Sequence, residues 1–170
     1  GAYTGRVPRA GNRPTPVGLF VDEGRVVNPN LARMDGILLL PPDGPPRLEH
    51  RRRLRFGDET WDLADPSRRA AFARRAAAAG IEVLQSHLVV IDGRSDVAPR
   101  EDAPRARRRL FFSGASGWGV WQSRAAITLH AAAERIRADL APRMALNLDM
   151  GSHDYCVLSG SGAVRRCGVR

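Results

Sequence analysis

The chain predicts a mixed α+β domain: a mixed β-sheet with hairpins and two packed helices, all in one domain over 1–170. Three observations carry this. Two segments combine helix caps with helical periodicity, each is followed by a short apolar run of strand character, and the remaining apolar runs are short and punctuated by Gly, Pro and Asp-Gly turns. The length of 170 residues, with 43% hydrophobic and 26% charged, suits one globular core. The longest apolar runs, Ile37–Leu40 and Leu88–Ile91, fall far short of the ~18 residues that a helical membrane span needs.

Residues 1–16 are rich in Gly, Pro, Arg and Thr and read as loop. Val17–Asp22 and Arg25–Val27 flank Glu23-Gly24, a hairpin signal. Ile37–Leu40 predicts a buried strand. Asp43-Gly44, set among four prolines, turns the chain into a strand near Arg47–Glu49, and His50–Phe56 is a further candidate. The first helix runs over 66–79, with Asp65 as N-cap, Pro66 at the first helical position and Gly80 as the stop. Ile81–Ile91 follows as one long strand of central character. Arg109–Phe112 and Trp118–Gln122 form a second hairpin. Thr128 caps a second helix whose Leu129, Ala132, Ala133, Ile136 and Leu140 make an apolar stripe, and Pro142 ends it. Met144–Leu148 is then a short buried strand. Ser159-Gly160-Ser161-Gly162, between two apolar flanks, reads as the turn of a Cys-bounded hairpin over 156–170.

Arginine supplies all 27 basic residues against 18 acidic ones, for a formal charge of +9. Complete replacement of Lys by Arg reads as coding bias, but the balance favours anionic partners. The runs Arg51–Arg55 and Arg105–Arg109 read either as solvated strand faces or as anion sites. Few aromatics accompany them, which argues against nucleic acid held by base stacking. Cys156 and Cys167 have ten residues between them. A disulfide there would add about 2–4 kcal/mol and imply an oxidising, extracytoplasmic setting, whether periplasmic or secreted; two free thiols are the other reading.

Three segments hold polar residues that strand patterning does not explain. Asn147 to Tyr155 places Asp149, Gly151, Ser152 and His153 just beyond a buried strand, where ligands commonly sit and a Gly-Ser turn exposes backbone N–H groups. Asp149 there suits a general base, a nucleophile or an acceptor for a sugar hydroxyl. Gln85-Ser86-His87 interrupts the most apolar strand, and three adjacent polar residues are costly there unless hydrogen-bonded. In Arg105–Arg109, alternation turns one guanidinium inward to clamp a phosphate. A metal triad of His87, His153 and Asp149 has no HxH or HExxH spacing behind it, so no cofactor is expected.

At these residues the chain resembles a known family. Gly1-Ala-Tyr-Thr-Gly5 with Pro16-Val-Gly-Leu-Phe-Val-Asp-Glu-Gly-Arg-Val-Val27, Arg107-Arg-Arg-Leu-Phe-Phe112, and Thr128-Leu-x-x-Ala-Ala133 with Ala145-Leu-Asn-Leu-Asp-Met-Gly-Ser152 are together similar to the phosphodiester glycosidase domain, the uncovering-enzyme-like family, in a bacterial form. The resemblance covers about residues 1–155 and is most specific in its last motif. It implies a hydrolase of a glycosyl phosphodiester, with phosphorylated or acidic carbohydrate as partner. The family's Asp falls on Asp149, the Asn on Asn147 and the Arg on Arg108, with Tyr3 at the aromatic position of the opening turn. Arg108 would hold the phosphate, Gly151-Ser152 would donate backbone hydrogen bonds, and His87 or His153 would protonate the leaving group. Gln85 and Ser86 join Asn147, Ser152 and His153 as expected substrate contacts. The family's triple glycine is Met150-Gly151-Ser152 here, and its opening Asn either lies before Gly1, in which case an upstream strand is missing from this sequence, or is absent. The alternative is a non-catalytic binding module for acidic or phosphorylated glycan on the same scaffold.

Overall fold

The computed structural model describes residues 16–115 and 117–148, and the backbone of 156–160 and 163–167. The elements are β1 (Phe20–Asp22), β2 (Arg25–Asn28), β3 (Gly36–Leu40), β4 (Arg47–His50), β5 (Leu54–Phe56), β6 (Glu59–Trp61), α1 (Pro66–Ala78), β7 (Glu82–Ser86), β8 (Leu88–Ile91), β9 (Arg94–Ser95), β10 (Arg109–Gly114), β11 (Gly117–Gln122), α2 (Leu129–Leu140), β12 (Met144–Leu148), β13 (Cys156–Gly160) and β14 (Ala163–Cys167). The α+β class with two helices is observed.

The strands form two five-stranded sheets rather than one. Sheet I has the order β2-β1-β7-β3-β4 and sheet II the order β11-β10-β12-β8-β9, and all their pairings are antiparallel. Side-chain alternation explains how they stack. In β3, Ile37 and Leu39 face a cluster that includes Phe72, Ala73 and Ala76 of α1, while Leu38 joins Leu88, Phe111 and Leu146 between the sheets. In β10, Leu110 and Phe112 face Ala132, Ala133 and Ile136 of α2, and Phe111 faces the other way. The layers are therefore α1, sheet I, sheet II and α2, with three apolar seams. Strands covered on both faces read as continuous apolar runs, which is why Gly36–Leu40 and Met144–Leu148 show so little polar alternation.

Local chemistry sets the helix ends as expected. Asp65 Oδ1 accepts from the N–H groups of Ser67 (2.7 Å) and Arg68 (3.0 Å), and Pro66 follows it. Thr128 Oγ1 accepts from Ala131 N–H at 3.1 Å. The small β5–β6 hairpin carries Leu54 and Trp61 onto α1, where Phe56 meets Phe72 edge-on at 5.4 Å.

The expected single strand over 81–91 is corrected. It divides at His87 into β7 of sheet I and β8 of sheet II, so the chain changes sheets at the polar triplet. In a straight strand Gln85 and His87 would share one covered face and Ser86 the other; the bend brings His87 to the surface instead. Gly36 permits the close approach there. A Cβ at this position would stand 2.8 Å from side-chain atoms of Leu88 and Leu146 and 2.9 Å from the Ser86 carbonyl oxygen. The C-terminal hairpin forms with Cys156 opposite Cys167 in its ladder.

Candidate active site

β12 lies in the middle of sheet II, between β10 and β8. Its C-terminal end is where the segments with unexplained polarity meet. The Asn147 N–H donates to the His87 carbonyl at 2.8 Å, and Ser86 Oγ donates to the Asn147 carbonyl at 2.6 Å. On the other side, Leu148 is the ladder partner of Arg109. Backbone pairing thus brings His87, at the bend between the sheets, Arg109 and the strand leading to Asp149 to one end of sheet II. Asp149, Gly151, Ser152, His153 and Tyr3 lie outside the described residues.

The arginine next to this end is displaced by one residue from the expectation. Arg108 directs its guanidinium to carbonyls of the segments before β10 and after β11: Nε donates to Ile127 O at 3.2 Å and Nη2 to Pro104 O at 2.6 Å. Its backbone N–H donates to Ser123 Oγ at 2.8 Å. Arg108 therefore fastens residues 104–127 beside β10. Arg109 is the buried one, 7% exposed, and its Nε and Nη2 donate to Gln122 Oε1 at 3.3 and 2.9 Å. Adjacent strand residues point to opposite faces, so a one-residue shift decides which guanidinium turns inward.

Gln85 is likewise committed to the fold. Its side chain is wholly buried. Oε1 accepts from the N–H groups of Leu19 and Ala32, both at 3.0 Å, and Nε2 donates to the carbonyls of Ala32 (3.2 Å) and Met34 (2.5 Å). An amide offers two donors and two acceptor positions, so nothing is left for a substrate. The expected cleft role for Gln85 gives way to this one: the amide fastens the start of β1 and the loop before β3 onto sheet I. Ser86 is also buried. His87, in contrast, is exposed and lines an open groove of about 610 Å3 with residues 31–35 and Arg51.

Beside this groove stands a group of ionisable residues that sequence spacing did not indicate. Asp35 Oδ1 accepts from Leu88 N–H at 3.0 Å, and the Asp35 carbonyl accepts from Arg51 N–H at 2.8 Å. Asp96 lies close enough to Asp35 and to His50 to feel the charge of both. Desolvation, then the charge of Asp35, raise the Asp96 pKa, although nearby His50 opposes them. Desolvation also lowers the pKa of His50, helped by Arg53, Arg51 and Arg52 against the pull of Asp35. Asp35 and Asp96 are 61 residues apart and belong to different sheets' connections, so no local pattern could have joined them. Among the described residues, no group of three or more His, Cys, Asp or Glu side chains could hold a metal ion. No helix of the described residues is long and apolar enough to cross a membrane.

No family model matches this chain, and no curated protein matches it either.

Proposed function

We propose that the chain is a hydrolase of glycosyl phosphodiesters, acting on a sugar–phosphate diester of a glycan or cell-surface polymer at the C-terminal end of β12. One observation carries the reading: the strand that leads into Asp149 is hydrogen-bonded at Asn147 to the His87 backbone and pairs at Leu148 with Arg109. These are the residue types that the resemblance assigns to the chemistry. In the reaction, water adds to the anomeric carbon, the bond from that carbon to the phosphoryl oxygen breaks, and the phosphomonoester leaves with a proton. Asp149 orients the sugar or takes the proton from water, and His87 or His153 supplies the one for the leaving group. Backbone N–H groups of Gly151-Ser152 face the phosphoryl oxygens. Asn147, Tyr3 and Ser152 contact the sugar. Arg109 takes the phosphate role that the resemblance gave to Arg108, because it is the ladder partner of Leu148 at this end of β12, whereas the Arg108 guanidinium is turned to the Pro104 and Ile127 carbonyls. A Cys156–Cys167 disulfide and an extracytoplasmic place, periplasmic or secreted, belong to the same proposal; the facing positions of the two residues in the hairpin support it.

The test uses a nitrophenyl phosphodiester of a sugar 1-phosphate. Asp149→Ala should lower kcat/KM at least about 1000-fold with an unchanged melting temperature, a loss of about 4 kcal/mol in transition-state stabilisation. Arg109→Gln should raise KM, while Arg108→Gln should leave the kinetics near those of the parent and lower stability. Full activity in Asp149→Ala rejects the proposal. Saturable glycan binding with no product from the parent chain favours the binding module instead.

A further inference from the structure

The run Arg51–Arg55 finds no use in the site above. Two of its arginines, Arg53 and Arg55, line a second cleft, of about 570 Å3, together with Arg47 of β4 and Arg143, which precedes β12. Glu49 and Asp92 are its carboxylates. Met144 also lines it, so the cleft sits at the start of β12, roughly 13 Å along the strand from Leu148.

The ion pairs leave a cationic surplus. Glu49 receives Arg47 at 2.6 Å, and Asp92 receives Arg53 at 2.6 Å and Arg143 only at 3.8 Å. The Arg55 guanidinium has no hydrogen-bond or ion-pair partner among the described residues; its backbone carbonyl accepts from Arg47 instead. Two carboxylates thus hold two arginines in place and leave Arg55 and the loosely held Arg143 to face the cleft with net positive charge.

We propose that this cleft is a binding site for a phosphoryl-bearing anion of small-molecule size, such as a pyrophosphate or the phosphate end of a phosphorylated sugar, with Arg55 and Arg143 as its principal ligands. Planar guanidinium forks match phosphoryl oxygens two at a time, and Arg47 and Arg53 are already oriented by their carboxylates. The volume fits a ligand larger than a bare ion and smaller than a polymer segment. No Phe, Tyr or Trp lines the cleft, so bases find no broad stacking platform. His50, at the cleft wall, experiences the same cationic field, since Arg53, Arg51 and Arg52 all lower its pKa after desolvation does.

The test is calorimetric titration of the full chain with pyrophosphate, inorganic phosphate and a sugar 1-phosphate at fixed, near-physiological ionic strength. The parent should bind pyrophosphate saturably at one site. Arg55→Ala/Arg143→Ala should weaken this at least tenfold with an unchanged melting temperature, and Arg100→Ala, at an exposed arginine outside the cleft, should bind as the parent does. Because both arginines are exposed, the variant should fold; if it does not, Arg55→Lys/Arg143→Lys keeps the charge, loses the fork and should still weaken binding several-fold. Equal binding by parent and variants, or no saturable binding by the parent, overturns the proposal. So does a single-stranded oligonucleotide that displaces pyrophosphate at lower concentration than the sugar phosphate. The readout is binding, so the result stands whether or not the chain hydrolyses a phosphodiester.

Discussion

Replacing Gln85 by Leu separates a structural residue from a ligand-binding one. Leu fills nearly the same volume, so little cavity opens, and the effect comes from the polar groups left behind. The Leu19 N–H is lost to a wholly buried position, and the Met34 carbonyl belongs to a residue only 6% exposed. Ala32 loses partners for both its N–H and its carbonyl, but it is half-buried and water can replace part of them. An orphaned buried group costs about 1–3 kcal/mol. Two such groups, with a fraction for Ala32, bring the loss to about 3–5 kcal/mol. A domain with about 5–15 kcal/mol in total would lose a large share of its stability. Guanidinium unfolding followed by linear extrapolation measures it, and the melting midpoint should fall by about 10 °C or more. A loss under about 1 kcal/mol, with an accompanying loss of ligand affinity, would refute the assignment and return Gln85 to the cleft.

Further outcomes follow from the same contacts. Gly36→Ala should cost about 1–3 kcal/mol, because its Cβ meets Leu88, Leu146 and the Ser86 carbonyl, and the sheets cannot part there without opening the seam; an unchanged melting midpoint would contradict this. Asp96 has a raised pKa in the folded chain, so its contribution is full below the ordinary carboxylate value of 3.8 and is lost as pH rises through the folded value. Asp96→Asn should therefore gain stability relative to the parent as pH rises from 3.8 through the folded value, as read from denaturation at a series of pH values. His50 has a lowered pKa, so its contribution is full above 6.5 and is lost as pH falls from there toward the folded value. His50→Gln should flatten that acid limb, and an unaltered limb would show that His50 does not titrate as described.

Where the chain's own neighbours decide structure, the residues disclose it. Asp65 and Pro66 mark the start of α1 because an Asx cap and a fixed φ need only the next three residues. The Glu23-Gly24 turn closes β1 on β2 for the same reason, with both turn residues at positive φ. What sequence could not disclose depends on contacts between distant segments. Ile81–Ile91 reads as one strand because both halves are apolar, yet it divides because α1 covers sheet I and α2 covers sheet II, so each half needs a different partner. Gln85 looks like a ligand group until residues 19, 32 and 34 come within 3.2 Å of its amide.

The arginine run shows the same limit at its sharpest. Alternation requires that one of Arg108 and Arg109 turn inward, but it does not say which, since a single-residue slip exchanges the faces. The pairing of Arg109 with Leu148, repeated down the ladder to Ser113 and Met144, settles it. That same ladder fixes how far the two anion-facing ends of β12 lie apart. Arg109 stands at one end, beside the strand that leads to Asp149; Arg143 and Met144 stand at the other, with Arg55 across the cleft. A strand five residues long cannot bring both ends to one small ligand, so a phosphoryl group held by Arg55 and Arg143 is a separate binding event from chemistry at Asp149. Variants at one end should therefore leave the other unaffected, and their effects should add when combined. Non-additive losses in the combined Arg109 and Arg143 variants would mean that one extended ligand bridges the strand.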